Sequence, residues 1–121
     1  MTLQRQALGR RGEAQAAAHL ARQGLRVWQR NVRLPGGELD LVAWDGETLV
    51  FVEVRARRRA SCGGPLASVG GRKQWRVRRL AEVFLWRTGL VGRVACRFDV
   101  VGIVAAGAGL APVVEHVRDA F

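Results

Sequence analysis

A mixed β-sheet of about five strands with helices packed on it, an α/β fold, is predicted by three features of this 121-residue sequence. Two apolar, β-branched-rich runs, Gly37 to Trp44 and Thr48 to Arg55, flank an Asp-Gly turn and read as a β-hairpin. Two stretches of helical periodicity each stop at a glycine, and two further apolar runs follow the second of them. The order is helix, three strands, helix, two strands. With no internal repeat and no long linker, it fits one domain over residues 1–121.

The first helix is expected over residues 6–23. Ala14, Ala17, Ala18 and Ala21 recur at helical spacing, a face small enough to lie close to a sheet, and Gly24 supplies the stop. Glu13 stands with Ala17 and Leu20 along one edge of that face. It is either an acid favoured early in a helix by the macrodipole or a group aimed at the sheet end where other acids gather. Leu25 to Arg33 reads as a strand carrying Val27, Trp28 and Val32, and Leu34-Pro35-Gly36-Gly37 as a turn into the hairpin. After Arg55 come Ala56 and the run Arg57-Arg58-Arg59, then a segment rich in Gly, Ser and Ala up to Gly71. Such a segment either tracks a phosphate backbone or is a solvated connection.

The second helix is expected over about 72–88, with Val77, Leu80, Ala81, Phe84 and Leu85 as its buried stripe and Gly89 as its stop. Arg72, Arg76 and Arg79 line another side, with Lys73 and Gln74 near the start. Trp75 either stacks on a base or rests on the core, and Trp75 and Trp86 are the candidates for exposed tryptophans. Arg93 to Val104 reads as a long strand on which Arg97 and Asp99 share a face and can pair, structurally or at a site. A short strand near Val113 to Val117 completes the sheet.

Residues of like parity share a face of a strand, which places Glu38, Asp40 and Val42 on the same side as Phe51, Glu53 and Arg55. Both strands are otherwise apolar on both faces, as central strands are. Like charges there are costly unless a cation neutralises them. Oxygen ligands without convergent Cys or His suit a hard ion, Mg²⁺ or Mn²⁺, rather than zinc. The other reading leaves the acids at the strand ends, in water.

The formal net charge is +10, and every basic residue except Lys73 is arginine. This balance favours a polyanionic partner, nucleic acid ahead of a membrane surface, since no stretch reads as a membrane span. The N-terminus leads into a polar, arginine-bearing helix rather than a secretory segment, so a cytoplasmic protein is expected, with Cys62 and Cys96 as free thiols.

The series Gly12-Glu13, Asn31, Gly37 to Ala43, Phe51 to Arg57, Lys73, Arg97 to Val101 and Glu115 to Phe121 resembles, nearly end to end and in order, the YraN family of small bacterial proteins. The resemblance implies a restriction-endonuclease-like core similar to archaeal Holliday-junction resolvases, in which acids on two strands hold Mg²⁺ or Mn²⁺. Carried across, Asp40 and Glu53 would be metal ligands, Glu38 an additional or alternative one, and Glu13 the helix acid. The implied activity is metal-dependent hydrolysis of DNA, on branched or junction DNA by analogy, with a homodimer expected if cuts are paired. Arg57, Arg58, Arg59, Arg72, Lys73 and Arg76 are the expected phosphate contacts. One departure stands out: the family pattern has lysine two residues after the second acid, and this chain has Arg55. Arginine stays protonated and cannot serve as a base, though it still stabilises charge developing on a phosphate. Lys73 is the one lysine that could reach the site, from the second helix. The alternative function is a nucleic-acid-binding module, catalytically weak or inactive, in a DNA-processing complex.

Overall fold

The apolar runs pair in sequence order. The computed structural model describes residues 3–57, 70–104 and 109–121, with side chains described from 12 to 56 in the first span. It contains α1 (Leu3–Arg22), β1 (Arg26–Leu34), β2 (Gly37–Asp45), β3 (Thr48–Arg57), α2 (Gly71–Thr88), β4 (Ala95–Val104) and β5 (Val113–Val117). The strands form one sheet of order β1-β2-β3-β4-β5. β1, β2 and β3 are an antiparallel meander; β3 and β4 are parallel, joined through α2; β5 returns antiparallel to β4. The five-stranded mixed sheet is therefore as expected.

Alternation along β3 builds both layers. Val50 and Val52 join Ala16, Ala17 and Leu20 of α1, while Leu49 and Phe51 join Val77, Leu80, Ala81 and Phe84 of α2. Helices cover both faces, which is why the central strands carry apolar residues at successive positions. The β2–β3 turn is the two residues between Asp45 and Thr48.

Some boundaries and one face differ from the sequence reading. α1 begins at Leu3 rather than residue 6 and ends at Arg22. Its packed face is Ala16, Ala17 and Leu20; of the four alanines expected there only Ala17 is buried, and Ala14, Ala18 and Ala21 are exposed. Burying Leu20, the one large aliphatic side chain among those described on α1, removes more apolar surface from water than burying alanines, and it sets the rotation. That rotation turns Glu13 inward. β4 starts at Ala95 rather than Arg93, because Arg93 closes a turn by donating its N–H to the Leu90 carbonyl at 3.0 Å. α2 ends as read: Gly89 takes φ +71°, and Leu90 donates to the Leu85 carbonyl at 2.9 Å. Leu85, expected in the stripe, is only half-buried.

Gly12 sets how closely α1 approaches the sheet. A Cβ there would lie 3.0 Å from Cβ of Ala56. The bare backbone lets the helix pass over β3 and bring the next residue, Glu13, to the end of the sheet where the acids lie. Among the described residues no helix is long and apolar enough to cross a membrane.

Candidate active site

The site forms where β2 parts from β3. Their last paired residues are Leu41 and Val52, and Asp40 and Glu53 come next. Beyond that pair the Val54 N–H donates to Asp40 Oδ2 at 2.8 Å, so a carboxylate takes a β3 backbone donor where the ladder has ended. Across β2, the pairs Arg30 with Leu41 and Val32 with Leu39 enclose Asn31, which has φ +51°. A non-glycine residue in that region is uncommon and asparagine tolerates it best. The pleat reverses here. Leu39 packs on the α2 side with Val42, whereas strict alternation would set it beside Leu41 on the α1 side. Parity therefore holds for Val42 and Phe51 but not through Asp40, a correction to the single acidic face read from sequence. Asp40 lies between the layers, within electrostatic reach of Glu13 on α1 and Lys73 on α2.

Glu53 is buried, with Lys73 Nζ 3.1 Å and Arg55 Nη2 3.9 Å from its Oε1. Burial pushes the Asp40 carboxyl up to about 7, with the Glu53 charge adding to the rise and the Val54 hydrogen bond opposing it. The Glu13 carboxyl is also raised, first by burial; a hydrogen bond with Asn31 opposes this, and the charges of Glu38 and Glu53 reinforce it. Four acids thus share one field. Glu38 is the most open of them, 3.9 Å from the exposed Arg33. Among the described residues no three acidic, His or Cys side chains close on one point as a ready-made metal cage. The donor set still fits a hard divalent ion, because Mg²⁺ is commonly held by one or two carboxylates with water and phosphate completing its shell. Asp40 and Glu53 are two such carboxylates.

The expected phosphate contacts divide. Arg72 and Arg76 are exposed on α2, whereas Lys73 turns in toward Glu53. The Arg57 side chain, Arg58 and Arg59 lie outside the described residues, as does Cys62; Cys96 is an exposed free thiol.

Arg97 and Asp99 do pair, away from the acids just described. Arg97 Nε and Nη2 donate to the two Asp99 oxygens at 2.9 and 3.0 Å, and Nη1 donates to Asp45 at 2.8 Å. His116 Nε2 lies 2.7 Å from Asp99 Oδ2, and the Asp119 N–H donates to Oδ1 at 3.0 Å. Asp99 is fully buried; burial opposes its ionisation, but the His116, Arg97 and Asp119 hydrogen bonds outweigh it and hold the carboxyl down at about 2. Phe121 stacks on Phe98 at 5.2 Å, and Ala120 donates to the Phe98 carbonyl. The C-terminal motif is thus a latch on β4. Sequence reasoning assigned its residues no task; the available signal was a histidine, an arginine and an aspartate clustered at the end of a strand that pairs with Asp99's own.

Residues 12–103 match the profile of the uncharacterised protein family UPF0102. The chain belongs to that family. The UPF0102 match is where the YraN resemblance pointed, and it spans Glu13, Asp40, Glu53, Lys73 and Asp99. A UPF0102 protein of Moorella thermoacetica is 48% identical over 121 residues, the whole of both chains. Those of Ectopseudomonas mendocina and Streptomyces griseus are each 48% identical, covering 93% and 94% of this chain and 95% of their own lengths. Their names carry the family and no activity.

Proposed function

We propose that this UPF0102 chain is a metal-dependent nuclease of restriction-endonuclease-like build that hydrolyses DNA phosphodiester bonds, with branched or junction DNA as its substrate. The observation that carries the reading is the acid pair of half-buried Asp40 and buried Glu53, set where two central strands part and flanked by Lys73 and Arg55. Asp40 and Glu53 would hold the ion, which when bound supplies Lewis acidity and lowers the pKa of water. The Val54 N–H fixes the Asp40 carboxylate, so the ligand does not have to be ordered at each turnover. Arg55, permanently charged, would bind the scissile phosphate and stabilise the charge that grows on it. Lys73 brings to Glu53 an amine that can exchange a proton, which Arg55 cannot.

The test is incubation with labelled four-way junction, flap, single-stranded and duplex DNA in Mg²⁺, Mn²⁺ or EDTA. Asp40→Ala and Glu53→Ala are each expected to lower metal-dependent cutting by at least about a hundredfold while leaving DNA binding in EDTA largely intact. Full activity in either variant would sink the proposal. One observation favours a second reading: Glu53 already has two cations beside it, as a binding module with no turnover would need. That reading predicts tight binding without cutting in either metal, with affinity falling steeply as salt rises.

A further inference from the structure

Among the described residues no element packs on the outer face of α2, and its composition is unusual. The buried side of this helix is Val77, Leu80, Ala81 and Phe84. On the opposite side, at helical spacing, stand Arg72, Trp75, Arg79, Glu82 and Trp86, all exposed. Trp75 is 64% exposed and Trp86 78%, the second having more of its surface in water than any other large hydrophobic side chain described. A tryptophan left this open forgoes the burial that normally places it, so two on one face mark a contact surface. The Arg79 guanidinium lies 5.8 Å from the Trp75 ring centre, and Arg76 and Arg87 flank the strip. Glu82, 3.4 Å from Arg79, is the only acid on the helix.

We propose that this face binds a single nucleic-acid strand, with unpaired bases stacked on Trp75 and Trp86 and the phosphates following Arg72, Arg76 and Arg79. Interleaved aromatic rings and cations are what a single strand needs, since every base offers a π-face and every link a charge. A duplex keeps its bases stacked on one another and has no use for the rings. A second copy would bring the same cations against these, so charge complementarity selects a polyanion over self-association. The two tryptophans are eleven residues apart, about 16 Å along the helix, a span of a few nucleotides. Lys73, on the inner side of the first turn of the same helix, reaches Glu53, so a strand on the outer face would run toward the end of α2 that lies nearest the acid pair. The inference rests on the nuclease reading for its meaning and assigns it a substrate class: DNA with an unpaired flank.

The experiment is binding in EDTA, so that turnover plays no part. A fluorescein-labelled oligothymidylate of about ten nucleotides, and a duplex of the same length, are titrated with the wild-type chain, Trp75→Ala, Trp86→Ala and Trp75→Phe. Both tryptophans are exposed, so the variants are expected to fold, and circular dichroism checks this. Each alanine is expected to weaken single-strand binding at least about fivefold, with duplex binding little changed and Trp75→Phe close to wild type. Single-strand binding unchanged by both alanines overturns the inference and leaves the nuclease reading standing. Absence of binding to the single strand also overturns the inference, while the nuclease reading is decided separately by cutting of junction and flap DNA in Mg²⁺ or Mn²⁺. Equal losses for strand and duplex overturn the single-strand assignment, and a tryptophan-dependent dimer or adhesion to anionic vesicles without DNA binding gives the face to another occupant.

Discussion

Asp40 is caught between burial, a neighbouring carboxylate and a backbone donor, and its titration reports the balance. A carboxyl raised to about 7 in the fold but near 3.8 when unfolded leaves the native state holding the extra proton between those values. Native stability therefore falls as pH rises from about 4 to about 7. Asp40→Asn keeps an acceptor for the Val54 N–H and removes that burden. Its melting temperature without added metal is expected to gain on wild type between pH 4 and pH 7, by several degrees at the upper end. A difference that stays flat or shrinks would mean the ionised form is already satisfied. That Asp40 and Glu53 come near one another was legible in the two strands flanking the Asp-Gly turn, although the shared face read from their alternation was not borne out. The reversal at Asn31 was not, because one residue's backbone angle leaves no trace in a hydrophobic pattern.

Strand β4 shows how one element is held by residues far along the chain. Asp99 accepts from Arg97, His116 and the Asp119 backbone at once, tying the β2–β3 turn and the C-terminal residues to the sheet. Asp99→Ala would leave the half-buried Arg97 guanidinium with Asp45 alone and strip His116 and the Asp119 N–H of their acceptor, and is expected to cost about 3–5 kcal/mol in urea unfolding, with Asp99→Asn costing less. The depressed carboxyl contributes stability that is present above about pH 4 and lost as pH falls toward 2. A loss under about 1 kcal/mol for the alanine variant would show the network to be dispensable. The Arg97 pairing was readable because the two residues lie two apart on one strand. Its other partners come from residues 116 and 119, which no periodicity links to it. The helices divide in the same way: α2 carries Val77, Leu80, Phe84 and Leu85 at unambiguous spacing, whereas among the described side chains of α1 many alanines left its rotation to Leu20.

At the scale of the whole molecule, acids and bases are sorted. Glu13, Glu38, Asp40 and Glu53 gather at one place, Asp45 and Asp99 are bound to Arg97, and the outer face of α2 is predominantly basic. Topology is sorted too. The meander of β1, β2 and β3 closes through short turns, but β3 meets its parallel neighbour β4 only after the chain has passed through α2. Contacts of short sequence separation form before the loop entropy of the longer connection is repaid. The ribbon that brings Asp40 and Glu53 together is thus expected to form ahead of the helix that brings Lys73. Leu41→Ala should slow folding in stopped-flow measurements, whereas Lys73→Ala should leave the folding rate nearly unchanged and speed unfolding. A Lys73→Ala variant that folds markedly more slowly would reverse this order. On this order of events the growing protein passes through a state in which two carboxylates face each other with no ammonium beside them. The crossover that adds β4 to the sheet is then also the step that sets an ammonium beside the guanidinium Arg55 already supplies on β3.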